Sequence, residues 1–316
     1  VSSYVDEAQK NCPELINKLI VGGERDGWRN FDEERVLYST HYERGENAPG
    51  GDDLMLMYFT SGTSGEARGV MLSYRNISNN AKNIIDGYPD DEITHFLSVL
   101  PMSHIFGFMT EILSQLLNAQ HVYVLRSLLT INNLYNAIRH LHPYALRIIP
   151  ELILGLMRMH QDTPELLRNC CKQIYIGGAS FDRELEKKLL AANVSISIGY
   201  GMTETAPMIS FTRPDDIIPG CCGKLLPSVT CKVINGEICV KGPNVMQGYY
   251  NRPEETADVI DSEGFLHTGD LGRLDEEGRI YITGRTKEII VLSNGKNVQP
   301  AEIEFKLEKF EDKVKE

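Results

Sequence analysis

From Tyr58 to Asn76 the chain reads YFTSGTSGEARGVMLSYRN: an apolar run, then Thr60, Ser61, Gly62, Thr63, Ser64 and Gly65, and shortly after them Arg68 and Gly69. Hydroxyls and glycines at this density suit a loop that wraps an oligophosphate, because glycine permits positive φ and puts no Cβ between backbone N–H groups and phosphate oxygens. The run is not a Walker A loop, since no Gly-Lys-Ser/Thr ends it and the first helix start comes later, at Ser73 and Tyr74. A solvated turn of small polar residues fits these positions equally well. Further polar groups stand after apolar runs: His104 in PMSHIFGF, Gly177, Gly178 and Ala179 in IYIGGASF, and Tyr200, Gly201, Thr203 and Glu204 in GYGMTET. Asp270 follows in HTGDLG, with Arg285 and Lys287 in GRTKEIIV. Taken singly, Glu204 reads as a turn carboxylate, Asp270 as a turn cap, His104 as a packing residue and Lys287 as a surface lysine.

The elements that must position these residues are readable from periodicity. Short apolar runs at 54–60, 94–100, 121–125, 145–149, 173–176 and 195–199 alternate with amphipathic stretches of helical length, the pattern of a parallel sheet with helical crossovers. Helix starts are marked by Ser73, by Pro150 at a first-turn position, and by Asp182 ahead of RELEKKLLAAN with its leucines at 185, 189 and 190. The strand-end loops of one such sheet converge, so His104, Gly178 and Tyr200 are expected near one another. Beyond about Pro207 short strands and tight turns take over. Asn235-Gly236 is a favoured two-residue hairpin turn, HTGDLGRLDEEGRIYITG reads as a second hairpin with its tip at 276–278, and RPEETADVI as a short helix opened by Pro253. The expected fold is therefore α/β, parallel-sheet and helix layers followed by a β-rich, barrel-like subdomain. In the first 50 residues NCPELINKLIVGG reads as a helix and strand, and the stretch from Gly23 to Asp53 as surface connection.

Composition removes several function classes. The chain has 316 residues, 42% hydrophobic and 24% charged, and 32 basic against 44 acidic residues leave a net charge of −12 without a basic run, which argues against a nucleic-acid partner. The most apolar stretch, 148–157, contains Pro150 and Glu151 and is well short of the ~20 residues that span a bilayer, leaving peripheral contact as the only membrane association in view. Seven cysteines, with two adjacent pairs and no C-x-x-C spacing, indicate neither a disulfide framework nor a zinc site, so a cytoplasmic location is expected. The chain starts at Val1 and stops at Glu316 inside a charged helical pattern, and we expect it to be a fragment of something larger.

In this order, with GEICVKGPNVMQGYYNRPEET and GRTKEIIVLSNGKNVQPAEIE between and after them, the segments from about Leu54 onward resemble the adenylate-forming (acyl-activating, AMP-binding) superfamily of acyl-CoA synthetases, adenylation domains and luciferases. PMSHIFGF, QGYYNRPEET and the GRTKE run look most like long-chain fatty acid–CoA ligases. The resemblance implies an acid–thiol ligase working in two half-reactions: a carboxylate attacks the α-phosphorus of ATP to give acyl-AMP and pyrophosphate, and the thiol of CoA then takes the acyl group. It implies the acetyl-CoA synthetase-like division into an α/β part over 1–208, a β-rich subdomain over 209–285, and a hinge with the start of a lid over 286–316. It also implies that Thr60 to Gly65, Arg68 and Gly69 grip the β- and γ-phosphates, that Thr203 bonds the α-phosphate, and that Glu204 holds Mg²⁺. Tyr200 and Gly201, with Gly178 and Ala179, would line the adenine site, Asp270 and Arg285 would take the ribose hydroxyls, and His104 would lie near the acid. Lys287 falls at the hinge.

Two departures stand out. Arg68 replaces the usual lysine, a planar fork in place of a point charge. The lid lysine of the family has no counterpart here. Met102, Phe106, Phe108, Met109 and Met208 are candidates for an apolar acyl wall, and none of them would meet an ammonium, which favours an alkyl or aryl acid over an amino acid. Within the resemblance, a module that loads a carrier protein is the nearest alternative. A nucleotide-binding protein without turnover is the alternative from another class.

Overall fold

The computed structural model describes residues 19–20, 25–26, 28–30, 33, 48–61, 67–87, 95–125, 129–179, 181–286, 290–291 and 297–298. The chain forms two compact units, 1–49 and 50–316. In the first, β1 (Leu19–Ile20) pairs in parallel with β2 (Arg29–Asn30), so the stretch expected to be surface connection contributes a strand.

The second unit opens with β3 (Leu54–Ser61) and β4 (Ala67–Ser73), an antiparallel hairpin in which Thr60 faces Arg68 and Phe59 faces Gly69. Here the structure departs from the expectation of one parallel sheet from residue 53 onward. β3 belongs to a separate three-stranded antiparallel sheet, because the chain after Gly65 returns directly as a strand instead of crossing over through a helix. α1 (Tyr74–Gly87) follows, capped reciprocally: Asn76 N–H donates to Ser73 Oγ at 3.2 Å and Ser73 N–H to Asn76 Oδ1 at 2.8 Å. Its apolar residues Ile77, Ala81 and Ile84 are buried.

Next come β5 (His95–Ser98), α2 (Ile105–Gly107), a π-helical turn (Phe108–Leu113), α3 (Ser114–Leu117), β6 (His121–Val124), α4 (Ile131–Leu141) and β7 (Ala145–Ile148). α5 (Pro150–Met159), α6 (Thr163–Cys170), β8 (Gln173–Ile176), α7 (Arg183–Ala191) and β9 (Ile196–Gly201) complete the parallel part. Pro150 and Asp182 act as expected, the first at the start of α5 and the second accepting Leu185 N–H at 2.8 Å. After a 3₁₀ turn (Thr203–Thr205), β10 (Met208–Phe211) and β11 (Lys224–Leu225) reverse direction. The seven strands lie in the order β11-β10-β9-β8-β7-β5-β6, with β5 to β9 parallel and the last two antiparallel. β7 and β8 are buried along their whole length, as strands covered on both faces must be.

The β-rich part holds β12 (Thr230–Ile234), β13 (Glu237–Lys241), β14 (Gly248–Tyr249), α8 (Pro253–Val259), β15 (Leu266–Leu274) and β16 (Ile280–Arg285). β12, β13, β15 and β16 form a four-stranded antiparallel sheet, with Asn235 and Gly236 both at positive φ in the first hairpin turn. β14 leaves this sheet and pairs with β4, Tyr249 opposite Val70. β17 (Ile290–Val291) and β18 (Asn297–Val298) form a last short pair.

Candidate nucleotide and acid-activating site

The turn after β9 carries Thr203 and Glu204. Gly201 lies where a Cβ would stand 1.9 Å from the Pro207 carbonyl oxygen, so only glycine lets β9 run that close to the chain entering β10. Thr205 Oγ1 accepts Met202 N–H at 3.1 Å and closes the turn on itself. From outside, two buried amides hold it. Asn80 Nδ2, from α1, donates to Met208 O at 2.9 Å and Thr205 O at 3.3 Å, and Asn244 Nδ2 reaches the same two oxygens at 3.1 and 3.3 Å. Asn76, one turn before Asn80, donates to Pro243 O and Val245 O, both at 2.8 Å, so the polar edge of α1 also fastens the segment that carries Asn244.

Glu204 is 7% exposed and accepts Tyr249 Oη–H at 2.8 Å on Oε1. Burial, with the Glu204 carboxylate beside it, pushes the Tyr249 phenol well above its ordinary value, so Tyr249 stays a donor. The Arg68 guanidinium lies over the Tyr249 ring at 5.3 Å and pairs with Glu255 of α8. Gly69 sits under Tyr250, whose N–H donates to Gly69 O at 2.8 Å. The hairpin expected to grip phosphate is thus locked to the Glu204 turn through Tyr249. Thr60 pairs with Arg68 at its last turns, whereas Gly62 to Gly65 and the side chain of Ser61 lie outside the described residues.

Tyr200, Asp270 and Arg285 form a second group. Tyr200 Oη–H donates to Asp270 Oδ2 at 2.7 Å, and Arg285 Nε stands 3.2 Å from Oδ1 as its partner across the β15–β16 ladder. Burial, then the Asp270 charge, raises the Tyr200 phenol strongly. The turn ahead of Asp270 is built by Gly269 at φ +77°, whose N–H donates to Glu237 Oε1 at 2.8 Å, and by Thr268 Oγ1, which accepts Asp270 N–H at 3.1 Å. The Asp270 carboxylate is an acceptor on both oxygens, Oδ2 meeting the Tyr200 hydroxyl and Oδ1 facing Arg285.

Around the strand ends, Phe106 packs against the glycines of the β8 loop: a Cβ at Gly177 would lie 3.1 Å from its ring, and one at Gly178, at φ +84°, 3.6 Å. The β8 loop meets the loop of His104 through Phe106, and a Cβ at Gly177 would also lie 3.3 Å from the Gly199 carbonyl oxygen, one residue before Tyr200. Tyr58 Oη–H, from β3, donates to Met102 O at 3.0 Å and brings the hairpin to the same loop. His104 is exposed, and its Nδ1 accepts Phe106 N–H at 3.4 Å, which makes it the cap of α2. Of the proposed acyl wall, Met109 is fully buried and Met208 nearly so, both in the core cluster, while Met102 is half exposed. The wall is therefore not one surface, because α2 and the π turn direct Met109 inward. Lys287 lies outside the described residues.

Sequence reasoning missed Tyr249, Glu255, Asn80 and Asn244 as parts of this site. Asn76, Asn80 and Asn83 stand at i, i+4 and i+7 of α1, a stripe of amides on one helix face that signals loops to be bonded.

A family model described as AMP-binding enzyme matches residues 3–250. The chain belongs to the AMP-binding enzyme family. Among AMP-binding relatives, 4-coumarate-CoA ligase 2 of Narcissus pseudonarcissus is 31% identical over 281 residues, covering 81% of this chain and 48% of the relative. The chain spans about half the length of the curated relatives it matches. The ATP-bound structure of MatB from Rhodopseudomonas palustris superposes with a TM-score of 0.80 at 26% identity over 95% of this chain and 65% of that one. O-succinylbenzoate coenzyme A synthetase from Bacillus subtilis, in complex with ATP and magnesium ion, gives 0.73 at 25% identity over 94% and 66%. The α/β expectation is met. The resemblance seen from Leu54 onward extends upstream to residue 3. Among the described residues no helix is long and apolar enough to cross a membrane.

Proposed function

We propose that this chain carries the nucleotide and acid-activating site of an AMP-forming acid–thiol ligase, in which a carboxylate displaces pyrophosphate from ATP and the thiol of CoA then displaces AMP. The observation that carries the reading is the pair of buried carboxylates, Glu204 and Asp270, each accepting a tyrosine hydroxyl and both carried in one compact unit. Glu204 suits magnesium: it is a hard oxygen donor with Oε2 left for a cation, and Mg²⁺ takes one or two protein carboxylates beside phosphate oxygens and water. Bound there, the ion would supply positive charge against the phosphates. Thr203, at the start of the same turn, is the donor for the α-phosphate, and the segment from Thr60 to Gly69, with Arg68, grips the β- and γ-phosphates. Asp270 and Arg285 hold the ribose, and Tyr200, Gly201, Gly178 and Ala179 the base. Little covalent work falls to the protein; positioning two anions and fixing donors around developing charge is the contribution asked of it. His104 borders the acid and Lys287 serves as hinge to a lid, in a division at 208/209 and 285/286.

The acid has an apolar tail. PMSHIFGF, QGYYNRPEET and the GRTKE run resemble fatty acyl ligases, but the relatives named as 4-coumarate-CoA ligases weigh towards an aryl acid, as does a structural neighbour named for o-succinylbenzoate. Calorimetric titration with non-hydrolysable acyl-adenylate analogues bearing acetyl, benzoyl and long alkyl groups tests both levels. Binding that Asp270→Ala weakens supports the site, and the preferred acyl group names the acid class. Equal binding to wild type and Asp270→Ala, or none by either, would remove the assignment.

A further inference from the structure

Cysteine spacing alone indicates no metal site, yet the β-rich sheet brings Glu237, Cys239 and His267 together from positions up to 30 apart in sequence. Glu237 and Cys239 are two apart on β13 and so share a face, and Cys239 is the direct cross-strand partner of His267 on β15. Cys239 Sγ lies 3.4 Å from His267 Nδ1, and the same Nδ1 lies 3.0 Å from Glu237 Oε2. All three ligand atoms fall within 4.8 Å of one another. In a tetrahedral zinc site, bond lengths near 2.0–2.3 Å set neighbouring ligand atoms about 3.3–3.6 Å apart, so the two contacts of His267 Nδ1 are within a few tenths of an ångström of that spacing.

We propose that Glu237, Cys239 and His267 bind a borderline-soft divalent cation, zinc in particular, with water as the fourth ligand.

The surroundings are built for that donor set. The other ring nitrogen of His267, Nε2, faces Asp261 Oδ2 at 3.7 Å, and Asp261 Oδ1 is already held by Glu263 N–H and Phe265 N–H at 2.9 and 2.8 Å. A carboxylate behind a histidine is the arrangement that orients a metal-bound imidazole. Glu237 is held in turn: Oε1 accepts Gly269 N–H, which leaves Oε2 turned to the site. Cys239 is fully buried while Glu237 and His267 are partly exposed, so a cation enters from the imidazole and carboxylate side and meets the sulfur at the bottom. On binding, the thiol proton leaves to solvent and no electron is transferred. The ion would tie β13 to β15 and, through Glu237 and Gly269, brace the turn ahead of Asp270. This site is separate from Glu204 and its cation, and it stands whatever acid the protein activates.

The test is addition of Co²⁺ to the chain in a non-chelating reductant. One equivalent should develop the near-ultraviolet thiolate-to-cobalt band and the intense visible bands of a tetrahedral site, and Zn²⁺ should bleach both. Cys239→Ser should lose the thiolate band and His267→Gln should bind neither metal, while Asp261→Asn should keep the spectrum at about tenfold or more weaker affinity. At a hundredfold excess over Kd, zinc should raise the thermal midpoint of the wild type by on the order of 5 °C and leave Cys239→Ser unmoved. Cobalt bound without a thiolate band, the same band in Cys239→Ser, or a midpoint indifferent to zinc would each overturn the proposal, leaving these side chains as a hydrogen-bonded brace only.

Discussion

Glu204, on the turn after β9, and Asp270, in β15, are both 7% exposed and both accept a tyrosine hydroxyl, from Tyr249 at 2.8 Å and from Tyr200 at 2.7 Å. Each also has an arginine nearby, and there they part. Arg285 pairs directly with Asp270, whereas Arg68 lies over the Tyr249 ring and pairs with Glu255 instead. Asp270 thus has a guanidinium directly against it, while among the described residues Glu204 has none; under the proposed function the first would take hydroxyls and the second a cation. On that reading the same carboxylate and phenol pairing would serve two chemistries because the guanidinium is placed differently.

A third buried carboxylate sharpens the contrast. Glu111 is bonded by the Ser98 hydroxyl at 2.8 Å and by Val99 and Leu100 N–H, beneath the loop that carries His104. Burial outweighs those donors and raises it to about 7 from the ordinary 4.5. A carboxyl that holds its proton more tightly when folded stabilises the fold fully below about pH 4.5 and loses that contribution as pH rises to about 7, a fall of roughly 3 kcal/mol. Urea unfolding across this range should show the decline, and Glu111→Gln should flatten it; an unchanged slope would mean that Glu111 is charged in the fold at neutral pH.

The next largest single-site effect concerns the amides behind Glu204. Either Asn80 or Asn244 keeps the Thr205 and Met208 carbonyls bonded, but Asn80 alone also accepts Met208 N–H at 3.3 Å, so Asn244→Ala should cost about 1 kcal/mol, Asn80→Ala about 2 and the double variant about 4, more than additive. Simple additivity in chemical denaturation would show that the two amides act independently. Smaller still is the difference between the phenols. Tyr249→Phe removes a hydrogen bond from a carboxylate with no direct arginine partner and should cost about 1.5 kcal/mol, whereas Tyr200→Phe, with Arg285 still on Asp270, should cost about 0.5–1. Equal losses by thermal unfolding would erase the distinction.

Much of this was legible in the sequence, and the exceptions share a cause. Strands at 173–176 and 145–148, the caps at Ser73 and Asp182, and the Asn235-Gly236 turn follow from local pattern, and the structure has them where expected. Family resemblance placed Tyr200 at the base and Asp270 with Arg285 at the ribose of one nucleotide, and the structure bonds Asp270 to both. What stayed hidden depends on pairing over long separations. β14 leaves its neighbours to join β4, which alone brings Tyr249 to Glu204 across 45 positions, and Cys239 meets His267 only through the β13–β15 register. The strand before the Gly-rich segment looked like a parallel-sheet strand because an apolar run does not reveal its partner. The upstream part of the family match, with its charged run ERDGWRNFDEER, carries no residue pattern that by itself points to a chemistry.

The central claim is the division of labour between the two carboxylates, and calorimetric titration of wild type, Glu204→Gln and Asp270→Ala with AMP and with ATP, each with and without Mg²⁺, tests it most directly. Asp270→Ala should weaken AMP and ATP alike by about 1.5–3 kcal/mol, with or without the ion. Glu204→Gln should leave AMP binding unchanged and abolish the gain in ATP affinity that Mg²⁺ brings. A magnesium titration identical in Glu204→Gln and wild type, or equal losses of both ligands in both variants, would contradict the account.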